Sequence, residues 1–133
     1  MKLSVVGIDL AKSVFSLEGR DDKWAVAFRK TLRREKLIAF LATLTPTKIA
    51  MEACATSNYW GRKCQEMGHE VMIMPAAYVK PYRVGGKNDG NDASAICEAS
   101  RNPRIHPVPI KSLAQQEMQS MISIRSRLEA NLT

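Results

Sequence analysis

The sequence has few cysteines and no closely spaced pair of them. Its three cysteines, Cys54, Cys64 and Cys97, are odd in number and form no Cys-x-x-Cys motif among the 133 residues. Neither a disulfide framework nor a zinc site is therefore indicated. Thiols left unpaired in this way are typical of a reducing compartment, and we expect a cytoplasmic protein.

Long apolar runs are also missing. No stretch approaches the roughly 18 consecutive apolar residues that a membrane-spanning helix requires. The apolar run at the N-terminus is interrupted by Asp9 and Lys12, which is unlike a secretory signal peptide. We therefore expect no membrane partner.

What the chain does have is a globular composition with a surplus of positive charge. Hydrophobic residues make up 45% and charged residues 25% of the sequence, which is typical of one soluble domain of this length. Lys and Arg number 20 against 13 Asp and Glu, and the formal net charge is +7. Such a surplus favours a polyanionic partner such as nucleic acid, although a basic solvated surface explains it equally well.

Apolar periodicity predicts an α/β fold. Residues 3–8 form a short β-branched run, as in a central strand covered on both faces. Two strand–helix–strand crossovers imply parallel pairing, so we expect a mixed five-stranded sheet flanked by helices. The other elements are predicted in the order strand 13–17, strand 24–28, helix 33–44, strand 47–51, helix 58–67, strand 69–74 and helix 91–100.

The C-terminal third is predicted to differ from this domain. Residues 103–112 contain three prolines and resemble a linker. From residue 113 to 133, apolar residues recur at spacings of four and three, which indicates the start of a coiled-coil dimerisation helix. This pattern runs to Thr133 without a stop signal, so we expect a fragment of a longer protein.

Four acids stand where such a fold can gather them. Asp9 ends the first strand and Glu52 ends a strand expected to lie parallel beside it, so both belong to one carboxyl edge, where ligands bind. Asp89 and Asp92 are one helical turn apart. If their helix lies across the sheet, all four carboxylates converge, and hard oxygen ligands of this kind hold two Mg²⁺ or Mn²⁺ ions for phosphoryl chemistry.

Each acid also has an ordinary explanation. Asp9 is compatible with a strand-end turn, and Glu52 with a solvated strand end or a helix cap. Asp89 and Asp92 are equally typical of a first helical turn, where the helix dipole favours acids. The metal-site interpretation is favoured because these positions match in topology.

Basic residues flank the acids. Lys12, Lys80, Arg83 and Lys87 are candidates for binding the phosphates of nucleic acid. The last three belong to residues 80–87, which by their proline and glycine content predict a mobile loop. A solvated loop without any binding role is the alternative.

Three segments carry a resemblance to a known family. They are GIDLAK at 7–12, MEA at 51–53 and KNDGNDA at 87–93. With their flanking residues they resemble the N-terminal domain of the DEDD transposases of bacterial insertion sequences, over residues 3–132. The Asn-Asp-x-x-Asp-Ala block is the most specific part of the match.

The resemblance implies a RuvC-like domain of the ribonuclease H fold at 1–102, followed by the linker and the coiled-coil helix. It places the family's catalytic, metal-binding tetrad on Asp9, Glu52, Asp89 and Asp92. It further implies a divalent-metal-dependent recombinase of the bacterial nucleoid that acts on element ends and target DNA, in some members with a guide RNA. Homo-oligomers joined through the coiled coil are also implied, as is a second catalytic domain beyond this chain.

Two other functions compete with this one. A catalytically incomplete fragment could bind nucleic acid and dimerise without turnover. An actin-like or sugar-kinase ATPase also begins with an acid at the end of its first strand, but it expects a glycine-rich phosphate loop there. Leu10-Ala11-Lys12 follow Asp9 instead.

Overall fold

The computed structural model describes residues 2–11, 13–83 and 89–131, and for residues 89–91 and 128–131 it describes the backbone alone. Two short 3-10 turns, Arg34–Lys36 and Lys80–Tyr82, accompany the regular elements. These elements are β1 (Leu3–Asp9), β2 (Val14–Asp21), β3 (Val26–Arg33), α1 (Leu37–Ala42), β4 (Lys48–Glu52), α2 (Ser57–Glu66), β5 (Glu70–Met74), α3 (Ala76–Val79), α4 (Asp89–Ser100) and α5 (Leu113–Asn131).

The strands form one mixed five-stranded sheet in the order β3-β2-β1-β4-β5. β1 pairs antiparallel with β2, and β2 with β3, whereas β4 runs parallel to both β1 and β5. This confirms the predicted fold class. It also makes β1 and β4 parallel neighbours, as the placement of the acids requires.

Each face of the sheet is covered by helices. On one face, Val6 and Ile8 of β1 belong to a core cluster completed by α1 and α2. On the other face, Val5 of β1 and Ala50 of β4 pack with α4. The alternation of Val5, Val6 and Ile8 between the two clusters follows from the two-residue period of a strand.

The hairpin strands are longer than their sequence predicts. β2 and β3 remain paired from Val14 with Arg33 to Arg20 with Val26, past the predicted strand ends at residues 17 and 28. In β3 the pairing extends through the basic stretch from Arg29 to Arg33, where backbone pairing overrides side-chain propensity. The predicted helix at 33–44 begins later for the same reason, since α1 starts only at Leu37, after the 3-10 turn.

The proline-rich segment 103–112 lies against the domain. The Val108 amide donates to the Ile73 carbonyl at 2.7 Å, forming an isolated bridge to the edge strand β5. The Lys111 amide donates to Oδ1 of Asn58 in α2 at 2.8 Å. This segment therefore covers one edge of the sheet and leads directly into α5.

The C-terminal helix α5 is continuous from Leu113 to Asn131. It carries exposed apolar side chains, including Met118, Met121 and Ile122. Its pairing with another helix stays a prediction. In the part of the chain that the structure describes, no helix combines the length and apolar character needed to cross a bilayer.

The segment between α3 and α4 is only partly described. Of the predicted mobile loop at 80–87, Lys80–Tyr82 forms a 3-10 turn instead of irregular structure. Residues 84–88 lie outside the described residues.

Helix α4 approaches the sheet closely at Gly7. A Cβ atom added at Gly7 would lie 2.8 Å from the Cys97 sulfur and 2.9 Å from the Ala93 carbonyl oxygen. Both atoms belong to α4, and one of them is backbone. The missing side chain therefore lets α4 lie directly on β1, at the point where β1 leads to Asp9.

We expect Gly7→Ala to lower the free energy of unfolding by about 1–3 kcal/mol, because the added methyl overpacks this contact. Urea denaturation followed by circular dichroism measures the loss. Gly61→Ala in α2 is the matched control, since its added Cβ would meet only side-chain carbons of Ile73 and Ile110, at 3.3 Å. A Gly7→Ala variant as stable as the wild type would contradict the close approach.

Candidate metal and nucleic-acid site

Asp9 and Glu52 lie at the same edge and on the same face of the sheet. The parallel register pairs Ile8 with Met51. Asp9 follows Ile8 and Glu52 follows Met51, so both acids lie at the carboxyl edge of the sheet. Strand alternation places Asp9 on the face of Val5 and Gly7, which is the face that α4 covers. Glu52 lies on that face too, since it is two residues from Ala50.

Helix α4 brings a third acid to this edge. Asp92, one turn into the helix, is 6% exposed. Asp89 is the first residue of α4, three positions before Asp92, and its side chain lies outside the described residues. Asp9, Glu52 and Asp92 thus lie on one side of the sheet, on β1, β4 and α4, and Asp89 stands at the start of α4.

A guanidinium group joins two of these carboxylates. Nε of Arg83 donates to Oδ1 of Asp92 at 2.7 Å, and its Nη2 donates to Oε2 of Glu52 at 2.6 Å. These are short charge-assisted hydrogen bonds. Arg83 is predicted from the sequence as a phosphate contact, and in the structure it bridges the acids.

The ion pairs keep Arg83 charged. Partial burial alone would lower the pKa of Arg83, but the hydrogen bond that it donates to Asp92 and the charges of both carboxylates outweigh this effect and raise the pKa. The guanidinium therefore stays protonated at any physiological pH. It offsets the repulsion between two acids held near each other.

The other predicted contacts are less well defined. Lys80 is exposed in the 3-10 turn before Arg83. Lys12 and Lys87 lie outside the described residues. The dense basic stretch from Arg29 to Arg33 forms most of the edge strand β3, where charges also protect an edge from pairing with other chains.

Sequence reasoning missed a buried acid on β2. Glu18 is 1% exposed and pairs with Gly7, so it faces α4. Its Oε1 accepts hydrogen bonds from Ser94 of α4 at 2.5 Å and from Arg29 at 2.8 Å. Its Oε2 accepts one from Arg20 at 2.8 Å.

This network continues to the far end of α4. Arg20 also contacts the Glu98 carboxylate at 3.2 Å, and the indole N–H of Trp24 donates to the same carboxylate oxygen at 3.0 Å. The Arg101 guanidinium lies 4.4 Å from the centre of the Trp24 ring. Charged groups of the hairpin thus hold α4 along its length.

A signal for Glu18 exists in the sequence. Ser16, Glu18 and Arg20 alternate with Phe15, Leu17 and Gly19, which is the period of a strand with one polar face. Ending the predicted strand at residue 17 concealed the alternation. Of its partners, only Arg20 lies on β2, while Arg29 comes from β3 and Ser94 from α4, so no local pattern points to these two.

The acids fit a divalent cation in part. Among the residues that the structure describes, no three His, Cys, Asp or Glu side chains gather closely enough to hold a metal ion. Glu52 and Asp92, however, both form ion pairs with one cationic group, the guanidinium of Arg83. Their oxygens are the hard ligands that Mg²⁺ and Mn²⁺ prefer, so the donor set fits such an ion, with Asp9 at the adjacent strand end.

The fold is that of RuvC. The structure is similar to a solved complex titled T. thermophilus RuvC in complex with Holliday junction substrate, with a TM-score of 0.53 and 13% sequence identity. The similarity covers 81% of this chain and 100% of that chain. This shows a RuvC-like fold of the ribonuclease H type.

The chain belongs to the DEDD transposase family of the IS110 type, whose model matches residues 6–133. It is 46% identical over 128 residues to a probable family 20 transposase of Pseudomonas aeruginosa, and 35% identical over 131 residues to the transposase for insertion sequence element IS1111A of Coxiella burnetii. These matches cover 96% and 98% of this chain but 38% and 36% of those proteins. The chain thus spans little more than a third of their length.

We expect Glu18→Gln to lower the free energy of unfolding by about 2–4 kcal/mol at pH 7, because it removes the charge that pairs with Arg20 and Arg29. Burial would raise the pKa of Glu18, but the hydrogen bonds from Ser94, Arg29 and Arg20 outweigh it and lower the pKa below 4.5. The stabilisation is therefore present above that value and is lost as the pH falls through the lowered pKa.

Urea denaturation at a series of pH values measures this effect as the difference in the free energy of unfolding between the wild type and Glu18→Gln. The difference should be largest near neutral pH and shrink in acid. Glu117→Gln, in an exposed position of α5, is the control and should change stability by less than about 0.5 kcal/mol. A pH-independent difference would contradict an ionised Glu18.

Proposed function

We propose that this chain is the metal-binding, nuclease-like part of a DNA transposase, with Asp9, Glu52, Asp89 and Asp92 as its catalytic acids. The observation that carries the proposal is the pair Glu52 and Asp92. They come from separate elements, β4 and α4, yet they share a single cation at the carboxyl edge of a RuvC-like sheet. Membership of the transposase family supports the same function.

The proposed chemistry is phosphodiester cleavage and strand transfer. Two Mg²⁺ or Mn²⁺ ions, if bound there, would supply activation of an attacking oxygen and stabilisation of a leaving one. The four acids hold these ions, and the rigid ends of β1 and β4 fix two of the ligands relative to each other. Asp89 and Asp92 come from one turn of α4, whose position on the sheet depends on Gly7 and Glu18.

The proposed partner is DNA, with a guide RNA as a further partner. The net charge of +7 favours a polyanion, and the similar RuvC structure holds a Holliday junction. Lys12, Lys80, Arg83 and Lys87 are the proposed phosphate contacts beside the acids. Their contribution is mainly electrostatic, so binding should weaken as salt increases. This function places the protein at the bacterial nucleoid.

We expect Asp92→Asn to lower the Mn²⁺ affinity of the chain at least tenfold while leaving its circular dichroism spectrum unchanged, because an amide loses the charge that holds the ion. Isothermal titration calorimetry measures the affinity. Asp22→Asn, at an exposed turn position, is the control and should bind Mn²⁺ like the wild type. In a protein of the relatives' full length, Asp9→Asn should abolish Mg²⁺-dependent cleavage of labelled DNA.

The same variants separate an enzyme from a simple binding module. DNA affinity measured by fluorescence anisotropy should stay at the wild-type level or rise when an acid becomes an amide, since repulsion of the backbone falls. Wild-type cleavage by Asp9→Asn would contradict the catalytic assignment and leave nucleic-acid binding as the function.

We further propose that α5 joins two copies of the chain. Met118, Met121 and Ile122 share one face of the helix at spacings of three and four, and each is more than half exposed. The opposite side is tied to the domain, since Gln116 accepts a hydrogen bond from Arg62 of α2 at 2.7 Å. Pairing through the outward face would bury apolar area that water otherwise covers.

We expect Met121→Glu to shift the chain from dimer to monomer, because pairing through this face of α5 would bury the new charge. Sedimentation velocity across a concentration series measures the shift. Ser120→Glu introduces the same charge at an exposed position on another side of α5 and should leave the dimer intact. A wild-type chain that is monomeric at high concentration would rule out this pairing.

A further inference from the structure

The most informative group at the site is the guanidinium of Arg83. It contacts Oε2 of Glu52 and Oδ1 of Asp92 with two different nitrogens. These oxygens are among those proposed to hold the metal. A divalent cation and Arg83 therefore compete for the same two carboxylates.

The position of Arg83 is set by the fold. Its amide donates to the Lys80 carbonyl at 3.1 Å, which closes the 3-10 turn. Val79, just before this turn, is fully buried in the core beneath α4. Within the turn, the Tyr82 hydroxyl accepts a hydrogen bond from Asn102 at 3.0 Å. A turn anchored on both sides delivers Arg83 to the acids.

We propose that Arg83 occupies the cation position of the site while no metal is bound, and that it exchanges the two carboxylates for a nucleic-acid phosphate when metal enters. This inference rests on the proposed function. Arg83 then couples the loading of metal to the binding of nucleic acid. Arg83 positions the two carboxylates while no metal is bound, and it regulates the access of metal to them.

Electrostatics favours this exchange over simple displacement. An incoming divalent cation would repel a guanidinium left beside it. The guanidinium would also lose its two charge-assisted hydrogen bonds to Glu52 and Asp92. Its planar fork matches phosphate as well as carboxylate. Arg83 is 21% exposed, so the group has access to solvent and to a bound backbone. A phosphate nearby therefore lowers the cost of releasing the acids.

The coupling must be reciprocal. If nucleic acid raises the affinity for metal by some factor by drawing Arg83 away, metal raises the affinity for nucleic acid by the same factor. Without nucleic acid, Arg83 lowers the metal affinity of the site. The protein thereby avoids holding a loaded metal site before its substrate has arrived.

The test is calorimetric titration of this chain with Mn²⁺, alone and with a four-way DNA junction. We expect Arg83→Gln to bind Mn²⁺ at least tenfold more tightly than the wild type when DNA is absent, because the competing cation is gone. The increase in Mn²⁺ affinity caused by the junction should be smaller in Arg83→Gln than in the wild type.

Two variants control for charge and for folding. Lys23→Gln removes the same charge at an exposed position in the hairpin turn and should leave Mn²⁺ affinity unchanged. Arg83→Lys keeps the charge but lacks the fork, so its Mn²⁺ affinity should lie between those of the wild type and Arg83→Gln. Since Arg83→Lys retains one ion pair, it also tests the proposal if Arg83→Gln does not fold.

The outcomes distinguish this inference from the proposed function. If the wild type binds Mn²⁺ and both Arg83 variants bind it equally or more weakly, Arg83 is only a structural tie, and the metal site stands. If no variant binds Mn²⁺ with or without the junction, the metal site itself is refuted, and the exchange with it.

Discussion

The contact between α4 and the sheet is the constraint on which the site depends. The backbone of α4 lies on Gly7, where no side chain intervenes, and Ser94 of the helix bonds to the buried carboxylate of Glu18. Because β1 continues directly from Gly7 to Asp9, the same contact that docks the helix also sets its distance from the strand ends. Asp92 reaches Arg83, which also binds Glu52, only because α4 lies this close.

Charge is balanced in the same way at two places on this face of the sheet. The buried carboxylate of Glu18 is paired with Arg20 and with Arg29, whose side chain is 64% exposed, whereas at the edge one arginine pairs with two acids. An unpaired buried charge would be costly in either place. The interior network is saturated and stabilises the fold. The ion pairs of Arg83 with Glu52 and Asp92 are partly open to solvent, so a metal ion could replace the guanidinium there.

The segment after α4 connects the site to the rest of the molecule. Residues 103–112 contact β5 and α2, and Arg62 of α2 donates to both the Lys111 carbonyl and Gln116. Helix α5 therefore leaves the domain in a defined direction. If α5 pairs as proposed, two copies of the proposed site are held in a fixed relation.

The order of elements, the mixed sheet and the strand ends at Asp9 and Glu52 follow from the sequence by itself, because apolar runs and their periods are local properties. The end of β3 does not, since its basic stretch from Arg29 to Arg33 is in a strand only because β2 lies beside it. Resemblance to a family pointed to the acids, yet the partners of Glu18 and the bridging role of Arg83 were decided by tertiary structure alone. Most of these contacts join residues that are distant in sequence, from the Arg83–Asp92 ion pair, 9 positions apart, to the hydrogen bond that Ser94 donates to Glu18, 76 positions apart. Their energy depends on burial that no local pattern reveals.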